Sequence, residues 1–282
     1  MRDSVHRKYT TEWLQLERPQ PMYDKSINLL YDRFYINNPV HTENLDKIFI
    51  EKFIKYLNDH NLNIFKNIDN FDVYDICIGC TQFIDDIYQK YGVNKVQILE
   101  NDYKYHWRLN NSIKWATINT LDPDKELIIA MPFPYYGDVH PNMDLILDIC
   151  FEKKIQVHLD AAWISCCKDI SFDFGHPAIK SFCVSLSKGG LGGNRVGVRF
   201  SKQKLDGPIT IMNDFNMNNQ SLVSLGIAYI DEIGPEYFWK KYEKAYYKVC
   251  KDFDLMPTKA IHLARFSSGQ PVGVRPLLRC LI

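Results

Sequence analysis

From about residue 72 onward, short apolar runs alternate with helical patterns, and this alternation restricts the fold more than any other feature. Residues 73–78, 95–99, 127–131, 155–159 and 182–186 read as buried strands, and residues 81–91 and 143–153 have the spacing of helices. Strands separated by helices make parallel βα units with helices on both faces of one sheet. In such sheets ligands sit outside the carboxyl ends of the strands, so the residues that follow each strand carry the chemistry. Residues 196–200 form a further strand. No crossover helix separates them from residues 182–186, so this strand is expected to run antiparallel to its neighbours.

The connection between those last two strands places Lys188 in a glycine-rich turn, Gly189-Gly190-Leu191-Gly192-Gly193, read as mobile. Ser185 and Ser187 precede the glycines and Arg195 follows them. A lysine amine becomes a nucleophile when it is desolvated or set beside other cations, and its usual use is a Schiff base with a carbonyl. Hydroxyls and an arginine are the donors that would hold a phosphate nearby. The plain alternative is a glycine-rich β-turn with a solvated lysine. Upstream, Asp160 closes the apolar run Val157-His158-Leu159, and Ala161, Ala162 and Trp163 follow it. Gly79-Cys80-Thr81 stands where a strand gives way to a helix. The free N–H groups and the dipole of a helix start suit an anion there, and an ordinary N-cap is the alternative.

The remainder narrows the class. Lys plus Arg and Asp plus Glu both number 34, so a zero net charge gives no basis for nucleic-acid or membrane-surface binding. No apolar run approaches a membrane span. The basic N-terminus has no apolar stretch behind it and is not a secretory signal, so a cytoplasmic location is expected. The eight cysteines then read as reduced thiols, and the lone Cys77-x-x-Cys80 makes no case for a metal site. His158 and His176 read as packing or turn residues. Pro19, Pro21 and Pro39 break up residues 1–40 into an arm, and Thr42 is a candidate N-cap for a helix over residues 42–57. Two more helices are expected over residues 221–233 and 235–253.

The Asp160-Ala161-Ala162-Trp163 segment and the Ser185-x-Ser187-Lys188 loop with Arg195-x-Gly197 together resemble fold-type-I enzymes that use pyridoxal 5′-phosphate (PLP), class I/II aminotransferases above all. The resemblance covers residues 73–200. It implies an α/β fold, the large domain of aspartate aminotransferase-like PLP-dependent transferases, with three αβα layers and a mostly parallel mixed sheet. The chain then divides into an N-terminal arm and helix (1–70), a PLP-binding large domain (71–253) and a reduced remnant of the small C-terminal domain (254–282). Lys188 would carry the aldehyde as an imine, and Asp160 would pair with the pyridinium nitrogen. Gly79, Cys80 and Thr81 match the phosphate loop, with Ser185, Ser187 and Arg195 as further phosphate ligands. Lys188 and Arg195 stand one residue closer together than in most aminotransferases.

Tyr103 matches the aromatic that stacks on the pyridine face, with Tyr105 and His106 as alternatives. Trp163 stands where many aminotransferases place a tyrosine that serves the O3′ oxygen. Phe133 stands where an asparagine donates to the same oxygen, and phenylalanine cannot donate. Tyr135 or Tyr136 is then the alternative donor. Gly273-Val274-Arg275-Pro276 reads as a short strand that presents Arg275, rather than Arg265 or Arg279, to the substrate α-carboxylate.

The activity so implied is transamination between an amino acid and a 2-oxo acid, with Lys188 moving the Cα proton. Asp160-Ala161-Ala162-Trp163 is also similar to the strand end of group II amino-acid decarboxylases. PLP-dependent decarboxylase, lyase and oxidase reactions therefore stay open. So do a non-catalytic PLP-fold binding protein and an unrelated nucleotide-binding α/β protein. The resemblance further implies a homodimer, with Tyr23, Tyr31, Phe34 and Tyr35 as candidates to reach the partner.

Overall fold

The structure is a computed structural model that describes Leu14 and residues 25–37, 44–113 and 115–278. The proposed cap Thr42, together with Tyr23 and Arg279, lies outside the described residues. Helix α1 (Lys25–Asn37) lies between Pro21 and Pro39 in the sequence and is the regular element among the arm's described residues. Helix α2 (Leu45–Asn58) buries Leu45, Phe49, Phe53, Tyr56 and Leu57, one stripe at helical spacing. A short strand, β1 (Ile64–Lys66), leads from it toward the main sheet.

That sheet has seven strands. In chain order they are β2 (Val73–Cys77), β3 (Val96–Leu99), β4 (Trp115–Ala116), β5 (Glu126–Ala130), β6 (Val157–Asp160), β8 (Ile179–Ser185) and β9 (Gly197–Ser201), with β7 (Ser171–Asp173) pairing outside the sheet with β1. Their spatial order is β2-β9-β8-β6-β5-β3-β4. All neighbours are parallel except at β9, which is antiparallel to both β2 and β8. The expected α/β class, the mostly parallel mixed sheet and the antiparallel return all hold.

Alternation along the strands feeds two cores. Leu127, Ile129 and Leu159 face one cluster, which takes in α2 and the later helices; Ile128 and Ile98 face the other, under α3 (Gly79–Tyr91). Helix α4 (Tyr105–Leu109) follows β3, and α5 (Met143–Glu152) crosses from β5 to β6. Helices α6 (Pro208–Asp214), α7 (Gln220–Glu232) and α8 (Tyr237–Asp252) complete the layers. No helix among the described residues is long and apolar enough to cross a membrane.

After α8 the chain forms a small antiparallel sheet, β10 (Met256–Pro257), β11 (Leu263–Arg265) and β12 (Pro271–Gly273), then a single helical turn, α9 (Arg275–Leu278). Leu263, Val272, Val274 and Leu277 belong to the same buried cluster as the main sheet. Ile261 N donates to Cys166 O, which seats this segment against the turn that follows β6.

Candidate active site

The carboxyl ends of β5, β6 and β8 lie in one row, because Ala130 is opposite Asp160 and Asp160 opposite Cys183. Beyond β9, the end of β2 opens into the first turn of α3. Gly79 there has φ +69°, and a Cβ on it would lie 3.1 Å from Ser185 Oγ and 3.3 Å from the Arg195 Nε and Nη2 atoms. Only glycine combines that left-handed backbone with so close an approach. Arg195 Nη2 donates to Thr81 Oγ1. Ser185 Oγ donates to Ser187 Oγ at 2.9 Å and accepts from Ser187 N at 3.2 Å. Gly79, Thr81, Ser185, Ser187 and Arg195, widely separated in the chain, therefore form one cluster at a helix N-terminus. Gly197 makes the approach possible, since a Cβ on it would lie 2.3 Å from Val184 O.

Asp160 is buried beside this cluster, and its Oδ1 accepts from Ala162 N at 3.1 Å. Burial pushes its carboxyl above the ordinary carboxylate value; the Ala162 N–H, the Cys80 thiol and the charges of Lys188 and Arg195 oppose that rise. Cys80 thus turns its side chain inward, donating to Cys183 O at 3.2 Å beside Asp160, and leaves only its backbone for an anion. A second buried carboxylate, Asp102, lies close by. Its Oδ1 accepts from Tyr103 N at 2.6 Å and its Oδ2 from Ala130 N at 3.0 Å. Burial, with a further push from the Asp160 charge, raises Asp102 to about 7. Asp102 ties the Tyr103 loop to the end of β5. Nothing in its sequence context distinguishes it from an ordinary turn aspartate.

Lys188 sits in a single tight turn, Ser187–Leu191. Tyr229 donates its hydroxyl to Gly189 O, and Tyr31 donates to Gly190 O at 2.8 Å. Gly192 N closes the turn on Ser187 O at 2.9 Å. The Lys188 Nζ lies 5.2 Å from the Trp163 ring centroid, within range of the negative face of the indole. Trp163 in turn stacks on His262, with centroids 4.9 Å apart. Of the residues expected to reach a partner, Tyr31 and Phe34 are half-buried against the core of their own chain and Tyr35 is exposed.

Tyr103 is half-buried and stacks on Tyr105, whose hydroxyl is held by Asp85 at 2.6 Å; His106 is buried and bonded to the Tyr88 hydroxyl. Both alternatives to Tyr103 are thereby engaged elsewhere. Phe133 is buried with its ring against His140, so it contributes packing. Tyr135 and Tyr136 lie under the Arg265 guanidinium, which also donates to Gly269 O. Arg265 is thus engaged within its own hairpin, and Arg275 is the expected C-terminal arginine. It opens α9 instead of ending a strand, because Pro276 has the φ of a helix start and no N–H to waste there. Its charge reaches His262 together with that of Lys188. His158 is bonded to Ser181 inside the sheet, and His176 caps its own turn through Ala178 N, as their apolar and turn contexts suggest.

No protein-family model matches the sequence, and no curated protein does. Solved structures do match the fold. A PLP-bound C-S lyase from Staphylococcus hominis, complexed with the inhibitor L-cycloserine, superposes with a TM-score of 0.63 at 12% identity, over 96% of this chain and 89% of that one. An aspartate aminotransferase from Thermotoga maritima gives 0.63 at 10% identity, over 89% and 77%. An aromatic aminotransferase from Pyrococcus horikoshii gives 0.58 at 15% identity, over 88% and 78%. The chain has the aspartate aminotransferase-like fold that these proteins share.

Proposed function

We propose that the protein is a PLP-dependent enzyme acting on an amino acid, with Lys188 as the amine that holds the cofactor's aldehyde carbon, and that its reaction is transamination. The observation that carries this reading is the convergence of Lys188, Asp160 and the Gly79–Arg195 cluster at the carboxyl end of the sheet. The donor set fits the cofactor. Arg195, Thr81, Ser185, Ser187 and the first N–H groups of α3 suit a phosphate, and a buried carboxylate suits a ring cation. When bound, PLP supplies an electron-accepting ring that stabilises negative charge on the substrate Cα.

The chain's own groups do the rest. Asp160, raised by burial, would be held ionised by a protonated ring nitrogen, because opposite charges favour each other's ionised state. Tyr103 offers a face to the ring, and Trp163 walls the side on which Lys188 lies. Lys188 moves the Cα proton as general acid–base. Arg275 grips the α-carboxylate through its planar fork. Solved relatives in fold include both aminotransferases and a C-S lyase, so elimination is the second reading.

Addition of PLP to the purified protein is expected to give an absorbance band at roughly 420 nm that depends on Lys188. Asp160→Asn should keep that cofactor yet slow Cα-proton removal about 10^2-fold or more, as loss of one preorganised electrostatic partner does. An unchanged single-turnover rate would remove Asp160 from the mechanism. The same reading makes the protein a homodimer with a two-fold interface. Sedimentation of the PLP-loaded protein as a monomer at micromolar concentration would count against that part.

A further inference from the structure

His262 has no role in the reading so far. It is fully buried, and neither ring nitrogen has a hydrogen-bond partner among the described residues. A buried polar side chain left so calls for an explanation. Its surroundings supply one. One face stacks on Trp163, and Lys188 lies 5.2 Å from the centroid of the same indole. Val274 N donates to His262 O at 3.0 Å, which fixes His262 beside the start of α9 and hence beside Arg275. Burial, with the charges of Lys188 and Arg275, pulls its pKa down to about 3, so the ring is neutral and keeps one N–H donor.

We infer that His262 is a substrate-binding residue, whose N–H is a second donor, beside Arg275, to the carboxylate of the amino acid. The inference rests on the function proposed above. A carboxylate has two oxygens and about four acceptor positions, and an arginine fork fills only two of them. A neutral donor can share that anion with Lys188 and Arg275 without adding a third repelling charge. Packing alone gives no reason for histidine at this place, since phenylalanine would stack on Trp163 equally and bury no nitrogen.

Propanoate, a carboxylate without an amine, is the probe, and propanamide the uncharged control. Both are titrated by NMR into PLP-loaded protein. His262→Phe keeps the aromatic stack and is expected to weaken propanoate binding about tenfold or more, as loss of a hydrogen bond to a charged group does. His262→Asn, which keeps a donor, is expected to recover part of that loss, and Arg275→Lys is expected to weaken propanoate as well. PLP absorbance should be the same in all three variants. In wild-type protein, propanoate but not propanamide should shift the ring nitrogen resonance of His262, a result that needs no variant to fold. Propanoate affinity unchanged in His262→Phe, with an unmoved His262 resonance and PLP in place, overturns this inference alone. A wild-type protein that does not take PLP at Lys188 overturns the proposed function and this inference with it.

Discussion

Lys188→Ala is expected to leave a folded protein with essentially no turnover. The side chain is only half-buried, and the turn that carries it is held by backbone groups and by the Tyr31 and Tyr229 hydroxyls, none of which the substitution touches. Loss of a positioned acid–base group costs about 10^2- to 10^4-fold by itself. On the proposed function the same amine also holds the cofactor, so the two losses would fall together. PLP should still associate weakly through the Gly79–Arg195 cluster, without the band at roughly 420 nm. Turnover and absorbance in the variant, measured beside its unfolding midpoint, check this. Full activity in Lys188→Ala would mean that the turn has been given the wrong chemistry.

The largest expected effect on stability lies elsewhere, at Arg199. Its guanidinium is fully buried in β9, where it donates to Asp75 at 2.6 Å, Asp86 at 2.7 Å and Thr210 at 2.6 Å. Burial raises the Asp86 carboxyl, and Ile209 N–H and Arg199 hold that rise in check. Arg199→Ala would leave two carboxylates in the interior without their cation. Breaking a buried pair from one side costs about 3–5 kcal/mol, because the remaining charge is uncompensated. Urea unfolding of wild type and variant reads this directly. A loss below about 1 kcal/mol would show that water or another group neutralises the site. Arg199 joins β2, β9, α3 and α6, so the same variant should also loosen the strand end that carries Gly79.

Six of the sheet's seven strands were legible in the sequence because they are short apolar runs set among helical patterns; β4, two residues long, gives no such run. The antiparallel return followed from the absence of a crossover between Ser185 and Gly197. The catalytic candidates were legible through the resemblance to fold-type-I PLP enzymes, which points to residues at or after strand ends. What could not be read were the contacts that join distant segments. The glycines of the Lys188 turn give no local sign of the hydrogen bond that Gly190 accepts from Tyr31, 159 residues away. Asp102 and His262 are a turn aspartate and a lone histidine until β5 and Trp163 are brought beside them. Arg275 reads as a strand end because a proline follows, yet proline serves equally well in the first turn of a helix.

Strand β2, the earliest of the seven in the chain, is bonded only to β9, the latest. The sheet edge that carries Gly79 therefore has nowhere to pair until more than a hundred further residues exist. During synthesis the inner strands have partners first, and the anion cluster between Thr81 and Arg195, 114 residues apart, is among the last contacts to form. Loop-closure entropy grows only slowly with length, so the long span costs little at equilibrium. It costs time instead, since non-local pairing slows folding. On the proposed function, the cofactor's phosphate site would thus be complete only once the whole sheet is closed.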